Sequence, residues 1–454
     1  MTDLLVHPQA APLKGRVPLP SDKSIAHRAL MIASLGASTS RFQIASVGED
    51  NRATGEILRA LGVDIDEQTG PGGQSQVTVK GRGLFGFVPP KAPLDCKNSG
   101  TSMRLLAGLL AGQAFSSTLV GDESLSRRPM RRILAPLSAR GARIEGRRAD
   151  PKGERDSVTA PLVIAGVDEG SYLAGLEWES PIASAQVKSA ILLSGLMAHG
   201  ITTLSEPSVS RDHTERMLAA TGAPLRTAAG VLCLDPSGWD GRLSPVLGTI
   251  PGDLSAAAFL LSAATLVPGS TVVVRDVGLN PTRTGFLEIA RDMGAGLTIE
   301  HHGEVMTEPV GDVEARYAPL SRIAVGGELL VRAIDEVPIV LVLAARAAGV
   351  TRIGDAGELR VKESDRLAAM GQALRAFGVR AEERLDGIEV EGREGPLSAA
   401  DVDAAGDHRI AMASCVLALL ADGPSRIRGV DNIRTSFPRF VGTMRALGAR
   451  IDVA

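Results

Sequence analysis

One short phrase is written six times along this chain of 454 residues. It is an amphipathic helix, a glycine and then a short apolar strand. It reads EILRALGVDIDE at Gly62, ILAPLSARGARIEG at Gly141 and RMLAATGAPLRT at Gly222. It returns as LEIARDMGAGLTIE at Gly294, ALRAFGVRAEE at Gly378 and TMRALGARIDVA at Gly448. The copies recur every roughly 70–85 residues, too far apart for a solenoid and right for a small α/β unit. Each glycine is expected to close its helix in the left-handed conformation, with the strand starting straight after it. Upstream of every copy lies a second, more apolar helix followed by a strand. SIAHRALMIASLG leads to TSRFQIAS in the first unit, and DLSAAAFLLSAATLVPG leads to STVVVRDV in the fourth. Helices this apolar are buried on most sides. The expected fold is therefore α/β, with buried helices inside and strands in outer sheets.

Six such units overfill a single core, so two lobes of three are expected. The first three repeats should form one lobe at 22–247, and 1–21 plus 248–454 the other. GRVPLPSDKS and GTIPGDLS resemble each other as crossovers, near 20–22 and 246–252. Two crossings would make a hinge.

Composition narrows the function. A net charge of −3 argues against nucleic acid or an anionic membrane as the main partner. Cys96, Cys233 and Cys415 are sparse and far apart, which points to a reducing compartment. No Cys/His pair has zinc-ligand spacing, and no Walker motif or G-x-G-x-x-G fingerprint is present, so neither a metal nor an organic cofactor is expected. The N-terminal segment lacks the pattern of a signal peptide, and the longest apolar runs fall short of the ~20 residues of a membrane span. A cytoplasmic monomer acting on small molecules is the expectation.

The polar residues gather where the buried helices start. The first opens with Asp22, Lys23, Ser24 and Arg28, the second with Asn98, Ser99, Gly100, Thr101 and Arg104. The third opens with Ser184, Ala185, Gln186 and Lys188, the fifth with Asp335 and Glu336, the sixth with Asp407, His408 and Arg409. A lone Ser, Asp or Asn at a helix start is usually a cap. A cation within a few residues of several starts is not explained by capping. Helix N-termini favour anions, and added Lys and Arg strengthen the site. If the helices of each lobe run parallel, their N-termini converge, and two such faces would form a cleft for a multiply anionic ligand. Arg128, Arg211, Lys362 and Arg366 on connecting segments extend the set. Asp335 and Glu363 stand among these cations as candidate general acids or bases.

The segments LPSDKSIAHRAL, NSGTSMRLLAG, RRPMRRILAPL, ASAQVKSAILLSG, SRDHTE, NPTRTG, IDEVPI, ELRVKESDRL, GDHRIAM and TSFPRF, in this order, resemble the 5-enolpyruvylshikimate-3-phosphate synthases, in particular their second class. The resemblance implies two lobes of three βαβαββ-type units, the inside-out α/β barrel of the enolpyruvyl transferases. It implies transfer of the enolpyruvyl group of phosphoenolpyruvate to the 5-hydroxyl of shikimate 3-phosphate. Lys23, Ser24, Arg28, Ser184, Ala185, Gln186, Arg211, Asp335 and Lys362 would hold shikimate 3-phosphate. Lys23, Asn98, Gly100, Thr101, Arg128, Gln186, Glu363, Arg366, His408 and Arg409 would line the phosphoenolpyruvate site. Lys23, Asp335 and Glu363 would be catalytic. The two substrates bring about six negative charges, which the cations Lys23, Arg28, Arg128, Arg211, Lys362, Arg366 and Arg409 nearly match.

Three positions depart from parts of the family. Gly100 replaces an alanine of some second-class members and leaves room for the inhibitor glyphosate, so sensitivity is expected. Ala185 stands where first-class members have serine, and Thr435 where they have a lysine. The rival reading is the sister transferase acting on UDP-N-acetylglucosamine. That enzyme typically uses a loop cysteine, whereas the corresponding GDESLSRRPM has none.

Overall fold

The computed structural model describes residues 2–70, 73–148 and 158–454. Its helices are α1 (Lys23–Leu35), α2 (Glu49–Ala60), α3 (Gly100–Ala111), α4 (Arg131–Ala139), α5 (Ala185–Gly195), α6 (His213–Ala220), α7 (Leu254–Leu266), α8 (Gly285–Asp292), α9 (Gly327–Ala333), α10 (Val337–Ala344), α11 (Arg366–Ala376), α12 (His408–Ala418) and α13 (Phe440–Ala446).

All six phrase glycines have positive φ, from 75° at Gly378 to 106° at Gly448. The six helix ends share one hydrogen-bond pattern. Each glycine N–H donates three residues back, as Gly62 does to the Arg59 carbonyl. The next residue donates five back, as Val63 does to Leu58, Ala142 to Leu137 and Ala449 to Met444. This is the Schellman closure, which satisfies the last carbonyls and turns the chain straight into a strand.

The other helix of each repeat is the buried one. Every residue of α7, α10 and α12 is buried, as is all of α3 except Thr101. Six four-stranded sheets cover these helices, one per repeat, and each has the same order. The strand before the buried helix pairs parallel with the strand after it, and two antiparallel strands complete the sheet. In the second repeat Leu94–Asp95 runs parallel to Ser117–Val120, followed by Val158–Ile164 and Ile144–Arg148.

Three strands are donated from elsewhere in the chain. Leu247–Thr249 pairs parallel with Arg41–Gln43 and opens the first repeat. Lys14–Val17 pairs parallel with Thr271–Val274 and opens the fourth. Leu4–Val6 lies between Ser425–Arg428 and Ile451–Val453 in the sixth. The two crossover segments pair with each other: Asp22 N–H donates to the Pro251 carbonyl at 2.7 Å and Asp253 N–H to Pro20 at 2.9 Å.

The chain forms two compact units. One comprises Lys23–Ile250 with Val305–Thr307, the other Met1–Asp22, Pro251–Glu304 and Glu308–Ala454. The first unit runs three residues past the expected 247, because Leu247–Thr249 is a strand of its first sheet. Each unit has its own apolar core. The apolar run of the fifth repeat leaves helix at Ala344, and Ala347–Ala348 pairs with Leu320–Ser321 instead. A continuous apolar run gives no periodicity to separate buried helix from buried strand. No helix among the described residues is long and apolar enough to cross a membrane.

The backbones of α3 and α5 approach closely at Gly108. A methyl there would lie 2.3 Å from the Ala190 carbonyl oxygen and 2.7 Å from its Cα. Gly108→Ala gains up to about 1 kcal/mol of helix propensity, yet overpacking should leave it about 1–3 kcal/mol less stable. Gly442 on α13 has nothing within 4 Å of the same position, so Gly442→Ala should stabilise by a few tenths of a kcal/mol up to about 1. Urea midpoints for the two variants should move in opposite directions; a shared sign would refute the close-approach argument.

Candidate active site

In the unit of repeats one to three, the starts of α1, α3 and α5 are tied together by their own polar side chains. Arg28 of α1 is buried and donates to Ser189 Oγ on α5 at 2.8 Å, Thr214 Oγ1 on α6 at 2.6 Å and the Ser24 carbonyl at 2.9 Å. Gln186 of α5 donates to Thr101 Oγ1 at 3.0 Å and accepts from Arg104 Nη1 at 2.8 Å. A buried chain of His27, Thr54, Ser102 and Ser99 links α1, α2 and α3 through contacts of 2.7–2.8 Å. These bonds bring Lys23, Ser24, Arg28, Thr101 and Gln186 to one end of the helix set.

Gly100 lies between two guanidiniums. A methyl on it would sit 2.7 Å from Arg104 Nη1 and 3.1 Å from Arg128 Nη1. Asn98 holds Arg128 Nη2 at 2.7 Å and is itself anchored to Asp122 at 2.6 Å. Lys23 Nζ lies 3.0 Å from Asp50 Oδ2 at the start of α2. Ser184 and Ala185 open α5 half-buried, and Arg211 is half-buried in the segment before α6.

Capping accounts for some of these helix starts and not others. Ser99, Asp253, Asp365 and Asp407 each accept a backbone N–H of their own helix at 2.8–3.1 Å. Ser184 stands at the N-cap of α5 and makes no such bond. One expected anion-facing cation is spent elsewhere. Lys188 is 2% exposed and lies 2.9 Å from Glu206 and 2.7 Å from Glu215.

In the unit of repeats four to six, Arg366 organises the acids. It is 2% exposed and contacts Glu363 Oε2 at 2.6 Å, Asp407 Oδ2 at 2.8 Å and Asp335 Oδ1 at 3.2 Å. Arg409 Nη1 donates to the Asp335 carbonyl at 2.8 Å. His408 is buried next to Asp407. Burial pushes the Asp407 carboxyl up, but the Arg366 charge outweighs it and holds the group below the ordinary aspartate value. Burial pulls the Lys362 ammonium below the ordinary lysine value despite the attraction of Asp335 and Glu358.

A second buried arginine, Arg283 in NPTRTG, lies 3.0 Å from Asp253, 3.2 Å from Asp22 and 3.6 Å from Glu336. Neither it nor Asp50 is assigned a role from the sequence, since their partners lie far away in the chain. Thr435 is buried and spends its hydroxyl on the Asn432 carbonyl at 2.7 Å, so it does not stand in for a cation. Asp276, His302 and Asp312 have metal-ligand proximity that spacing did not reveal. Both Asp312 oxygens are already used, by Arg16 and by the Asp276 N–H.

The sequence profile of the EPSP synthase (3-phosphoshikimate 1-carboxyvinyltransferase) family matches residues 8–444. The chain belongs to this family. A 3-phosphoshikimate 1-carboxyvinyltransferase of Halorhodospira halophila is 48% identical over 97% of the chain and 95% of its own length. One of Alkalilimnicola ehrlichii is 48% identical over 94% and 92%. A solved EPSP synthase of Acinetobacter baumannii superposes with a TM-score of 0.84 at 38% identity, covering 100% of both chains. The family's two-lobed α/β fold of repeated units is the one expected from the six phrases.

The Asp407 shift sets a pH dependence. A carboxyl whose folded value is depressed lends stability that is fully present above its ordinary value of 3.8 and is lost as pH falls through the lower folded value. Asp407→Asn keeps an N-cap acceptor but removes that titration. The variant should be less stable at neutral pH and lose less on acidification. Parallel stability-versus-pH curves for the two proteins below about pH 4 would count against Asp407 as the source.

Proposed function

We infer that this chain transfers the enolpyruvyl group of phosphoenolpyruvate to the 5-hydroxyl of shikimate 3-phosphate and releases phosphate, by addition and elimination through a tetrahedral intermediate. It is a carboxyvinyl transferase of the shikimate pathway. The observation that carries the chemistry is the buried Arg366, which holds the Asp335 and Glu363 carboxylates at 3.2 and 2.6 Å. Two fixed carboxylates serve two proton transfers, one at the attacking hydroxyl and one at the enol carbon. In this reading Asp335 serves the hydroxyl and Glu363 the enol carbon. Lys23 assists with the leaving-group charge, its ammonium oriented by Asp50.

Shikimate 3-phosphate is held by Lys23, Ser24, Arg28, Ser184, Ala185, Gln186, Arg211, Asp335 and Lys362. Ser184 suits this role because it does not cap its helix, and at Ala185 only the backbone can contribute. Phosphoenolpyruvate is held by Lys23, Asn98, Gly100, Thr101, Arg128, Gln186, Glu363, Arg366, His408 and Arg409. Arg128, aimed by Asn98, gives a fixed fork for a carboxylate or phosphate. The absence of cysteine from 121–130 disfavours the sugar-nucleotide alternative. We place the enzyme in the cytoplasm as a monomer.

Phosphate release from phosphoenolpyruvate should require shikimate 3-phosphate and fail with UDP-N-acetylglucosamine; the reverse would leave the fold right and the acceptor wrong. Asp335→Asn and Glu363→Gln should each lose roughly 10²–10⁴-fold in single-turnover rate, and a loss under about tenfold would remove that residue from proton transfer. Glyphosate should inhibit most strongly at low phosphoenolpyruvate. Gly100→Ala should abolish that inhibition and, because its methyl crowds Arg104 and Arg128, raise the KM for phosphoenolpyruvate roughly tenfold. An unchanged KM would mean that the two guanidiniums relax without affecting the substrate.

A further inference from the structure

Two segments to which the proposed reading assigns shikimate 3-phosphate, the start of α5 at Ser184 and the segment around Arg211, meet at one buried carboxylate. Glu206 Oε1 accepts the Ser184 backbone N–H at 3.0 Å and the Ser210 hydroxyl at 2.7 Å. Its Oε2 accepts the Ser210 backbone N–H at 3.3 Å and the same hydroxyl at 2.9 Å. Lys188 neutralises it at 2.9 Å from inside α5 and donates also to the Ser210 carbonyl at 3.0 Å. Glu215, from α6, completes the group by contacting Lys188 at 2.7 Å. The Glu206 and Lys188 side chains are only 8% and 3% exposed.

The two acids of this triad have different jobs. Both pair with Lys188, but among the described residues the Glu215 carboxylate pairs with Lys188 and not with the 184 or 210 segments; it balances the lysine. Burial pushes the Glu215 carboxyl up in spite of Lys188, while Glu215 and Glu206 together outweigh burial and hold the Lys188 ammonium above its ordinary value. Of the two acids, Glu206 is the one that ties the two segments to each other. A carboxylate accepting several N–H and O–H bonds in a buried place fixes those segments far more tightly than exposed contacts do. The bond to Ser184 fixes the N-cap residue of α5 by its backbone N–H, while the Ser184 hydroxyl caps none of the helix's own N–H groups.

We propose that Glu206 is a positioning residue for shikimate 3-phosphate: with Lys188 it sets the spacing between Ser184 and Arg211. The proposal rests on the assignment of those two residues to that substrate. It contains no step of bond making.

The test compares Glu206→Gln with Glu215→Gln, since each removes one ion pair from Lys188. Glu206→Gln should raise the KM for shikimate 3-phosphate about tenfold or more, the usual cost of weakening charge-assisted bonds. The KM for phosphoenolpyruvate should stay within about twofold, and Glu215→Gln should leave both constants within that range. Equal effects of the two variants, or a loss shared by both substrates, would reduce the triad to a stability element and overturn the proposal. Ser210→Ala, which deletes only the hydroxyl bonds to Glu206, provides the milder case should Glu206→Gln fold poorly. It should raise the same KM about threefold, and no change would again overturn the proposal. Ser184→Ala and Arg211→Ala check the underlying assignment separately. If neither weakens shikimate 3-phosphate, that assignment fails whatever Glu206→Gln does. If both weaken it and the Glu206 and Ser210 variants do not, only the positioning role fails.

Discussion

A helix buried on every side has nothing but its ends to offer to solvent or to a ligand. That constraint governs this protein. All thirteen residues of α7 and all eleven of α12 are buried, so polar chemistry placed along them would lie in apolar surroundings at heavy cost. The proposed chemistry is displaced to the first turn and the segments just before it. There the free N–H groups and the helix dipole already favour negative charge. The outer sheets and the six glycine turns serve this arrangement by closing the opposite end of the repeat and returning the chain to the surface.

Gathering cations at such ends raises a second problem, because unpaired arginines cannot be buried without compensation. The two units solve it differently. In the unit of repeats one to three, Arg28 and Arg104 are held largely by hydroxyls, a carboxamide and carbonyls. In the other, Arg283 and Arg366 are each surrounded by three carboxylates. The first environment is rich in neutral acceptors. The second is rich in fixed acids and suits proton transfer. The proposed phosphate-holding roles in the first group and the proposed proton-transfer roles of Asp335 and Glu363 are in keeping with that asymmetry.

The repeat structure was legible because its signal is local. A glycine that must adopt positive φ after an amphipathic helix leaves the same trace six times, and all six close as expected. The buried helices showed as apolar runs, but their ends did not: the fifth run conceals both a helix and a strand. Candidate site residues were visible where they sit at helix starts. What was hidden is what depends on distant pairing. Nothing near Lys188 in sequence shows that it faces Glu206 and Glu215 rather than an anion, and Arg283 meets Asp22 across 261 positions of chain.

The donated strands also order events during synthesis. Leu4–Val6 is made first, yet both of its neighbours in the sheet, Ser425–Arg428 and Ile451–Val453, are made last. At typical translation rates that interval is on the order of half a minute. The first repeat waits too, since its opening strand arrives only at Leu247–Thr249. The sheets of repeats one to three can therefore complete themselves on the ribosome once residue 250 has emerged, and Val305–Thr307 joins that unit later. The other unit cannot close until Ile451–Val453 has emerged, and its early-made strand Leu4–Val6 must be kept from pairing elsewhere in the meantime.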